Sequence, residues 1–270
     1  MEKPILIIGG KGKTGSRVAE RLQAKGKEIR FASRSTGFDW TDRNTWAAAV
    51  EGAAAAYITY YPDLAAKGAP DNIDALATLA VSLGVKRLVL LSGRGEPEAQ
   101  ESEKRLIVSG AEWTVVRASW FNQNFDEGQL APMILDREVA LPVSSVSEPF
   151  IDADDIADVV TAALTDTRHI GELYEVTGPR LLTFAEAINE IGRASGREVA
   201  FHTISNGEFE GGLTAAQVPA DLAELLVELF TVVLDGRNEY LTDGVQRALG
   251  RAPKNFTDYA RSAAARGAWK

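Results

Sequence analysis

Three glycines, at positions 9, 12 and 15 of the run Gly9-Gly10-Lys11-Gly12-Lys13-Thr14-Gly15, carry the clearest chemical content in the chain. Glycines at this spacing permit a tight turn and close approach of the backbone to a pyrophosphate. They also let a helix pack closely on a preceding strand. A helix opening near Thr14 would aim its free N–H groups and positive dipole end at that anion. A second set lies at Ser33-Arg34-Ser35, where a guanidinium stands between two hydroxyls and no carboxylate is present. An acidic residue there would suit an unmodified ribose, whereas arginine forks onto a phosphate. Together the two sets predict a dinucleotide with a 2′-phosphate, NADP(H), gripped by Arg34 with Lys13 assisting.

In parallel α/β sheets ligands lie at the carboxyl ends of the strands. Asp39 and Trp40 are expected to border the adenine, and Thr59 and Tyr60 to lie along the diphosphate and nicotinamide ribose. Leu91 and Ser92 end a further apolar run, with Ser92 facing the nicotinamide. Tyr60, Tyr61, Trp120 and Phe121 offer aromatic faces on which an acceptor ring could stack. Their blander role is to fill core.

Such residues need elements to hold them. Apolar runs at 4–8, 28–33, 54–59, 87–91 and 113–117 read as strands, and the patterns at 14–24, 73–83 and 98–109 as helices. Continuous rather than alternating apolar runs mark strands covered on both faces, hence a doubly wound parallel sheet of the Rossmann type. After residue 120 the rhythm changes. Short strands are expected within 139–151, a helix at 154–164, a strand at 173–176 and a helix at 184–194. Residues 219–234 read as one amphipathic helix begun by Pro219, lying over the open end of the sheet or completing the core. The expected division is a cofactor domain of residues 1–125, continued by 151–177. A smaller, mainly helical substrate portion would comprise 126–150 and 178–270.

Composition narrows the classes. The 270 residues carry 38 acidic against 29 basic side chains, a net charge of −9 that disfavours direct nucleic-acid binding. With no cysteine, disulfides, thiolate nucleophiles and zinc-thiolate sites drop out. Two histidines, His169 and His202, make a His-based metal site sparse, and no metal is expected. No apolar run approaches the roughly 20 residues of a membrane span, and the N-terminus does not read as a signal peptide. The expected setting is the cytoplasm. Asp152, Asp154, Asp155 and Asp158 read as helix-start caps, and Glu96, Glu98, Glu101 and Glu103 as a solvated helix face.

The chain resembles the NmrA-like family of atypical short-chain dehydrogenases/reductases. The resemblance rests on Gly9-x-x-Gly12-x-x-Gly15, on the segment from Val85 to Ser92, on the segment from Trp113 to Phe125, and on Phe150-Ile151-Asp152-Ala153-Asp154-Asp155-Ile156-Ala157. Within the family, the glycine run and Phe38-Asp39-Trp40 look most similar to the branch of fungal ergot-alkaloid reductases, which reduce a cyclic iminium with NADPH. The family also holds quinone reductases and NADPH-sensing regulators without catalysis.

One departure matters. Short-chain reductases usually protonate a nascent alkoxide with a Tyr-x-x-x-Lys pair, yet the corresponding positions here are Gln100 and Lys104. Glutamine has no acidic proton to give. Hydride addition to an iminium needs no acid, and addition to a quinone leaves a weakly basic phenolate. The reading is therefore a reductase of a small planar acceptor, imine-like or quinone-like, in which Lys104 orients the nicotinamide ribose and Ser92 faces the ring. The alternative is a non-catalytic NADP(H) sensor acting through a protein partner.

Overall fold

The computed structural model describes residues 3–143 and 145–270. The chain opens with strand β1 (Ile5–Ile8), helix α1 (Lys13–Ala24) and strand β2 (Ile29–Ala32). Helix α2 (Trp46–Val50), strand β3 (Ala55–Ile58) and helix α3 (Ala69–Ser82) follow, then strand β4 (Arg87–Gly93), helix α4 (Pro97–Val108) and strand β5 (Glu112–Ala118). Next come helix α5 (Ala131–Leu135), strands β6 (Glu138–Leu141) and β7 (Ser147–Glu148), helix α6 (Ala153–Thr165) and strands β8 (Glu172–Val176) and β9 (Leu182–Thr183). Helix α7 (Phe184–Ser195), strand β10 (Ala200–Thr203) and helices α8 (Asn206–Ala215), α9 (Ala220–Glu228), α10 (Gly244–Leu249) and α11 (Phe256–Ala265) complete it.

Two compact units emerge. The first holds Met1–Ala118, Ala153–Val176 and Asp243–Arg251. Its six strands are all parallel in the order β2-β1-β3-β4-β5-β8, the Rossmann-type arrangement expected. Every residue of β1 and β3 is buried, as unbroken apolar runs between two helical layers require. The order reverses between β1 and β3, so a crevice opens there at the carboxyl ends of the strands.

The segment Asp243–Arg251, grouped from sequence with the smaller portion, belongs to this sheet unit. A Cβ on Gly244 would stand 2.1 Å from the Glu175 carbonyl oxygen, so only glycine brings α10 this close to β8. Arg247 binds Glu172 at 2.7 Å, and Arg251 reaches Asp155 at 2.7 Å and Asp158 at 2.5 Å.

The second unit holds Ser119–Asp152, Thr177–Thr242 and Ala252–Lys270. Two small sheets, β10-β6 and β7-β9, support helices around an aromatic core in which Phe125, Phe150, Phe184 and Phe256 meet edge to face or tilted. The single helix expected over 219–234 is α9 followed by a π-helical turn, Leu229–Val233. The Thr231 hydroxyl donates to the Val227 carbonyl at 2.7 Å, and the β-branched run Thr231-Val232-Val233 crowds a regular α-turn. Among the described residues no helix is long and apolar enough to cross a membrane.

Candidate functional site

At the first crevice the backbone turns sharply after β1. Gly9 takes the left-handed conformation (φ +78°), and the Gly12 N–H donates to its carbonyl at 2.9 Å. A Cβ on Gly9 would stand 2.1 Å from Thr59 Oγ1, and one on Gly15 would stand 2.4 Å from the Gly9 carbonyl oxygen. The turn and the helix therefore touch backbone to backbone. Helix α1 begins at an extended Gly12 with no side-chain cap and no acidic residue in its first turn. The end left this way is positive and uncapped, which fits a pyrophosphate. Thr14 is buried and accepts a hydrogen bond from the Tyr57 hydroxyl at 2.9 Å, while Thr59 donates to the Ile8 carbonyl at 2.9 Å. Burial pushes the Tyr57 phenol well above its ordinary range, so it stays a donor. Lys13 lies near Asp63, whose carboxyl is raised by burial against hydrogen bonds from Ala65 and Leu64 and the Lys13 charge.

The second corner lies after β2. Arg34 heads a short 3₁₀ turn, and its guanidinium sits over the Tyr61 ring, 5.1 Å from the centroid. The Ser33 and Ser35 hydroxyls are 2.9 Å apart, and Tyr61 is 65% exposed, so this corner faces solvent. The Asp39 carboxylate accepts from the backbone N–H and hydroxyl of Thr41, which lowers its pKa; Arg34 adds to this. It therefore serves its own loop. Trp40 is a core residue rather than an open platform. It packs on Phe38, Trp46 and Tyr60, with centroids 5.2, 5.5 and 4.6 Å apart. Tyr60 is drawn into that cluster, and its hydroxyl accepts from Asn72 at 2.8 Å. Phe31 is exposed beside the glycines, and its ring fills the place of the Cβ that Gly10 lacks.

Ser92 follows Leu91 as the penultimate residue of β4, and its environment corrects two expectations. Glu103, read from sequence as solvated, is 2% exposed and accepts the Ser92 hydroxyl at 2.6 Å. Lys104, read as the ribose-orienting residue, is on the outer face of α4 with its side chain 71% exposed and bound to Glu101 at 3.3 Å. The reason is helical spacing: Ala99, Ser102, Glu103 and Leu106 form the inward stripe, which turns Lys104 to water. Gln100, Lys104 and Ser92 are thus not gathered as a short-chain reductase would gather its catalytic set.

Trp120 and Phe121 belong to the second unit. The Trp120 ring packs on Phe184 at 5.7 Å and Phe230 at 4.8 Å, and Phe121 forms an isolated parallel bridge with Ile151 outside the strands. The four aspartates split as well. Asp154 and Asp158 bind Arg21 at 2.9 and 2.5 Å, Asp155 binds Arg251, and the Asp152 carboxylate accepts from Gln123 at 3.1 Å. His169 has a partner that sequence reasoning did not supply: its Nδ1 lies 2.8 Å from the Tyr174 hydroxyl. Among the described residues no group of three or more His, Asp or Glu is placed to hold a metal.

No family model matches the chain. It is 34% identical to the uncharacterized oxidoreductase YesF of Bacillus subtilis (strain 168), over 98% of this chain and 96% of that protein. It is 30% identical to the NAD(P)H azoreductase of Xenophilus azovorans, over 97% and 98%. Identity to the agroclavine dehydrogenase of Claviceps fusiformis is 29%, over 94% and 95%. The fold is shared with a Citrobacter sp. triphenylmethane reductase solved with NADP(H), at TM-score 0.78, 16% identity and coverage of 96% and 99%. It is shared too with an Escherichia coli NADPH-dependent quinone oxidoreductase solved with NADPH, at TM-score 0.77, 19% identity and the same coverage. The negative transcriptional regulator NmrA also has it, at TM-score 0.70, 15% identity and coverage of 99% and 97%. With full-length relatives at 34% and 30% identity and the glycine turn, switch-point crevice and Trp113–Phe125 segment all in place, the chain belongs to the NmrA-like family of atypical short-chain dehydrogenases/reductases.

Proposed function

We propose that the chain is an NADPH-dependent reductase that transfers hydride to a small planar acceptor, a cyclic imine or iminium or a quinone. The observation that carries the reading is the fit of the first crevice to a phosphorylated dinucleotide. An uncapped, acid-free helix start meets a turn that no Cβ could enter, and Arg34 waits over Tyr61 at the second corner. Gly9, Gly12 and Gly15 would hold the pyrophosphate with the first N–H groups of α1. Arg34, Ser33 and Ser35 would hold the 2′-phosphate, and Ser92 would meet the nicotinamide riboside. When bound, the reduced nicotinamide supplies the hydride.

The acceptor class follows from what the chain's own residues withhold. Gln100 offers no proton, Lys104 faces water, and the Ser92 proton is committed to Glu103. Acceptors whose reduction creates no strongly basic oxyanion suit such a site. Names among the relatives and fold neighbours, azoreductase, agroclavine dehydrogenase, triphenylmethane reductase and quinone oxidoreductase, support that class. The sheet unit is assigned the cofactor and the aromatic second unit the acceptor. The missing tyrosine favours one second reading, an NADP(H) sensor that docks a protein partner. NADPH oxidation against a panel of quinones, cyclic imines and aldehydes separates them. Turnover with the first two and not with aldehydes supports the reductase; tight NADPH binding with no turnover supports the sensor.

A further inference from the structure

The carboxyl ends of β4, β5 and β8 carry a row of charges that the cofactor reading leaves unused. Strand register sets Ser92 beside Arg117, and Arg117 beside Glu175. From α4, Glu103 Oε1 accepts both the Ser92 hydroxyl at 2.6 Å and Arg117 Nε at 2.9 Å, while its Oε2 accepts Arg117 Nη2 at 2.5 Å. Arg117 Nη1 donates to Glu175 Oε2 at 3.1 Å, and Arg94 Nε to Glu175 Oε1 at 2.9 Å. Two guanidinium groups thus balance two carboxylates. That balance lets Arg94 and Glu103 sit at 3% and 2% exposure, where a lone charge would be costly.

The row does more than neutralise itself. A hydroxyl has one proton and two lone pairs. The Ser92 proton is directed at a carboxylate already held by two hydrogen bonds from Arg117, so only lone pairs are left for a ligand at the end of β4. A serine donating its proton would favour a developing oxyanion; a serine held as an acceptor favours an N–H or O–H instead. We propose that Glu103 is a positioning residue that fixes Ser92 as a hydrogen-bond acceptor for a donor on the nicotinamide riboside half of NADP(H). This rests on the reductase reading above and sharpens it, because it removes Ser92 as a source of protons for the product.

The test compares binding of NADPH and of 2′,5′-ADP, which lacks the nicotinamide half, to the full chain and to Ser92→Ala and Glu103→Gln, by calorimetry. Each variant should bind NADPH about threefold to tenfold more weakly, the scale of one neutral hydrogen bond, with 2′,5′-ADP affinity unchanged. Because a general loss of structure would weaken both ligands, the difference reports position rather than folding. The Ser92→Ala variant, which removes only one oxygen, keeps the test informative should Glu103→Gln fail to fold. The 3-acetylpyridine analogue of NADPH identifies the donor. Weaker binding than NADPH to the wild-type chain assigns the carboxamide N–H, and equal binding assigns a ribose hydroxyl. NADPH affinity unchanged in Ser92→Ala, or unchanged in a folded Glu103→Gln, overturns the proposal. A wild-type chain that binds neither ligand overturns the cofactor reading itself.

Discussion

Gly15 presses on Gly9 so closely that a single added methyl would stand 2.4 Å from the Gly9 carbonyl oxygen and 2.9 Å from the Gly10 Cα. Both obstacles are backbone, so neither can swing aside. Gly15→Ala should cost about 1–3 kcal/mol of stability, the range for overpacking, and push α1 away from the turn. Thermal unfolding and NADPH titration check this together. A folded variant with unchanged NADPH affinity would show that the turn does not cradle the cofactor.

Arg34 should decide between the two nicotinamide cofactors. Its guanidinium is exposed, stacked on Tyr61 and flanked by two serine hydroxyls. Arg34→Ala should lower NADPH affinity by about 1.5–3 kcal/mol, the worth of hydrogen bonds to a charged group, and leave NADH affinity as it was. Equal losses for both cofactors would place Arg34 away from the 2′-phosphate.

The Tyr57 hydroxyl, inside the sheet unit, tethers β3 to the first turn of α1 through Thr14. Tyr57→Phe keeps the ring and deletes that donor, so about 1 kcal/mol of stability should go. Chemical denaturation reads the loss, and the companion Thr14→Ala should not add a further equal step, since both remove one bond.

Acid should weaken the sheet edge through His169. Burial is the main cause that lowers its pKa, and its Nε2 is buried with no hydrogen-bond partner. The unfolded chain takes up this proton near pH ~6.5, and the folded chain only at lower pH. Between those two values the unfolded state holds more protons, so stability rises with pH there. The contribution is full above about pH 6.5 and is lost as pH falls toward the folded value. His169→Asn, which keeps a polar atom for Tyr174 but does not titrate, should flatten this part of the stability profile. A profile that stays as steep would assign the acid sensitivity to other groups.

What could be read from sequence was what local pattern encodes. The glycine turn, the apolar strands and the amphipathic helices each follow from residues near one another, and the parallel sheet follows from them. Long-range closeness was less legible. Nothing in the spacing of Gly244 announces that α10 returns to β8, because the signal is the absence of a Cβ against one carbonyl. Glu103 and Lys104 are neighbours with opposite fates, settled by where the stripe Ala99-Ser102-Leu106 points; charge alone suggested that both were solvated or functional. That stripe was available in the sequence and would have turned Glu103 inward. Trp40 and Tyr60 looked like ligand platforms because aromatic residues at strand ends serve either purpose, and only their mutual packing distinguishes them.

NADPH bound to this chain should give its hydride to an acceptor that needs no protein acid. The most direct measurement supplies NADPH deuterated at C4 of the nicotinamide, on each face in turn, with a cyclic imine or a quinone, and follows the label by mass spectrometry. Deuterium should leave from one of the two faces only: onto the former imine carbon of the amine product, or, with the quinone, by stereospecific loss of label from the oxidised cofactor. Tight NADPH binding with the label still on the cofactor after prolonged incubation with every acceptor would contradict it and make the chain a sensor.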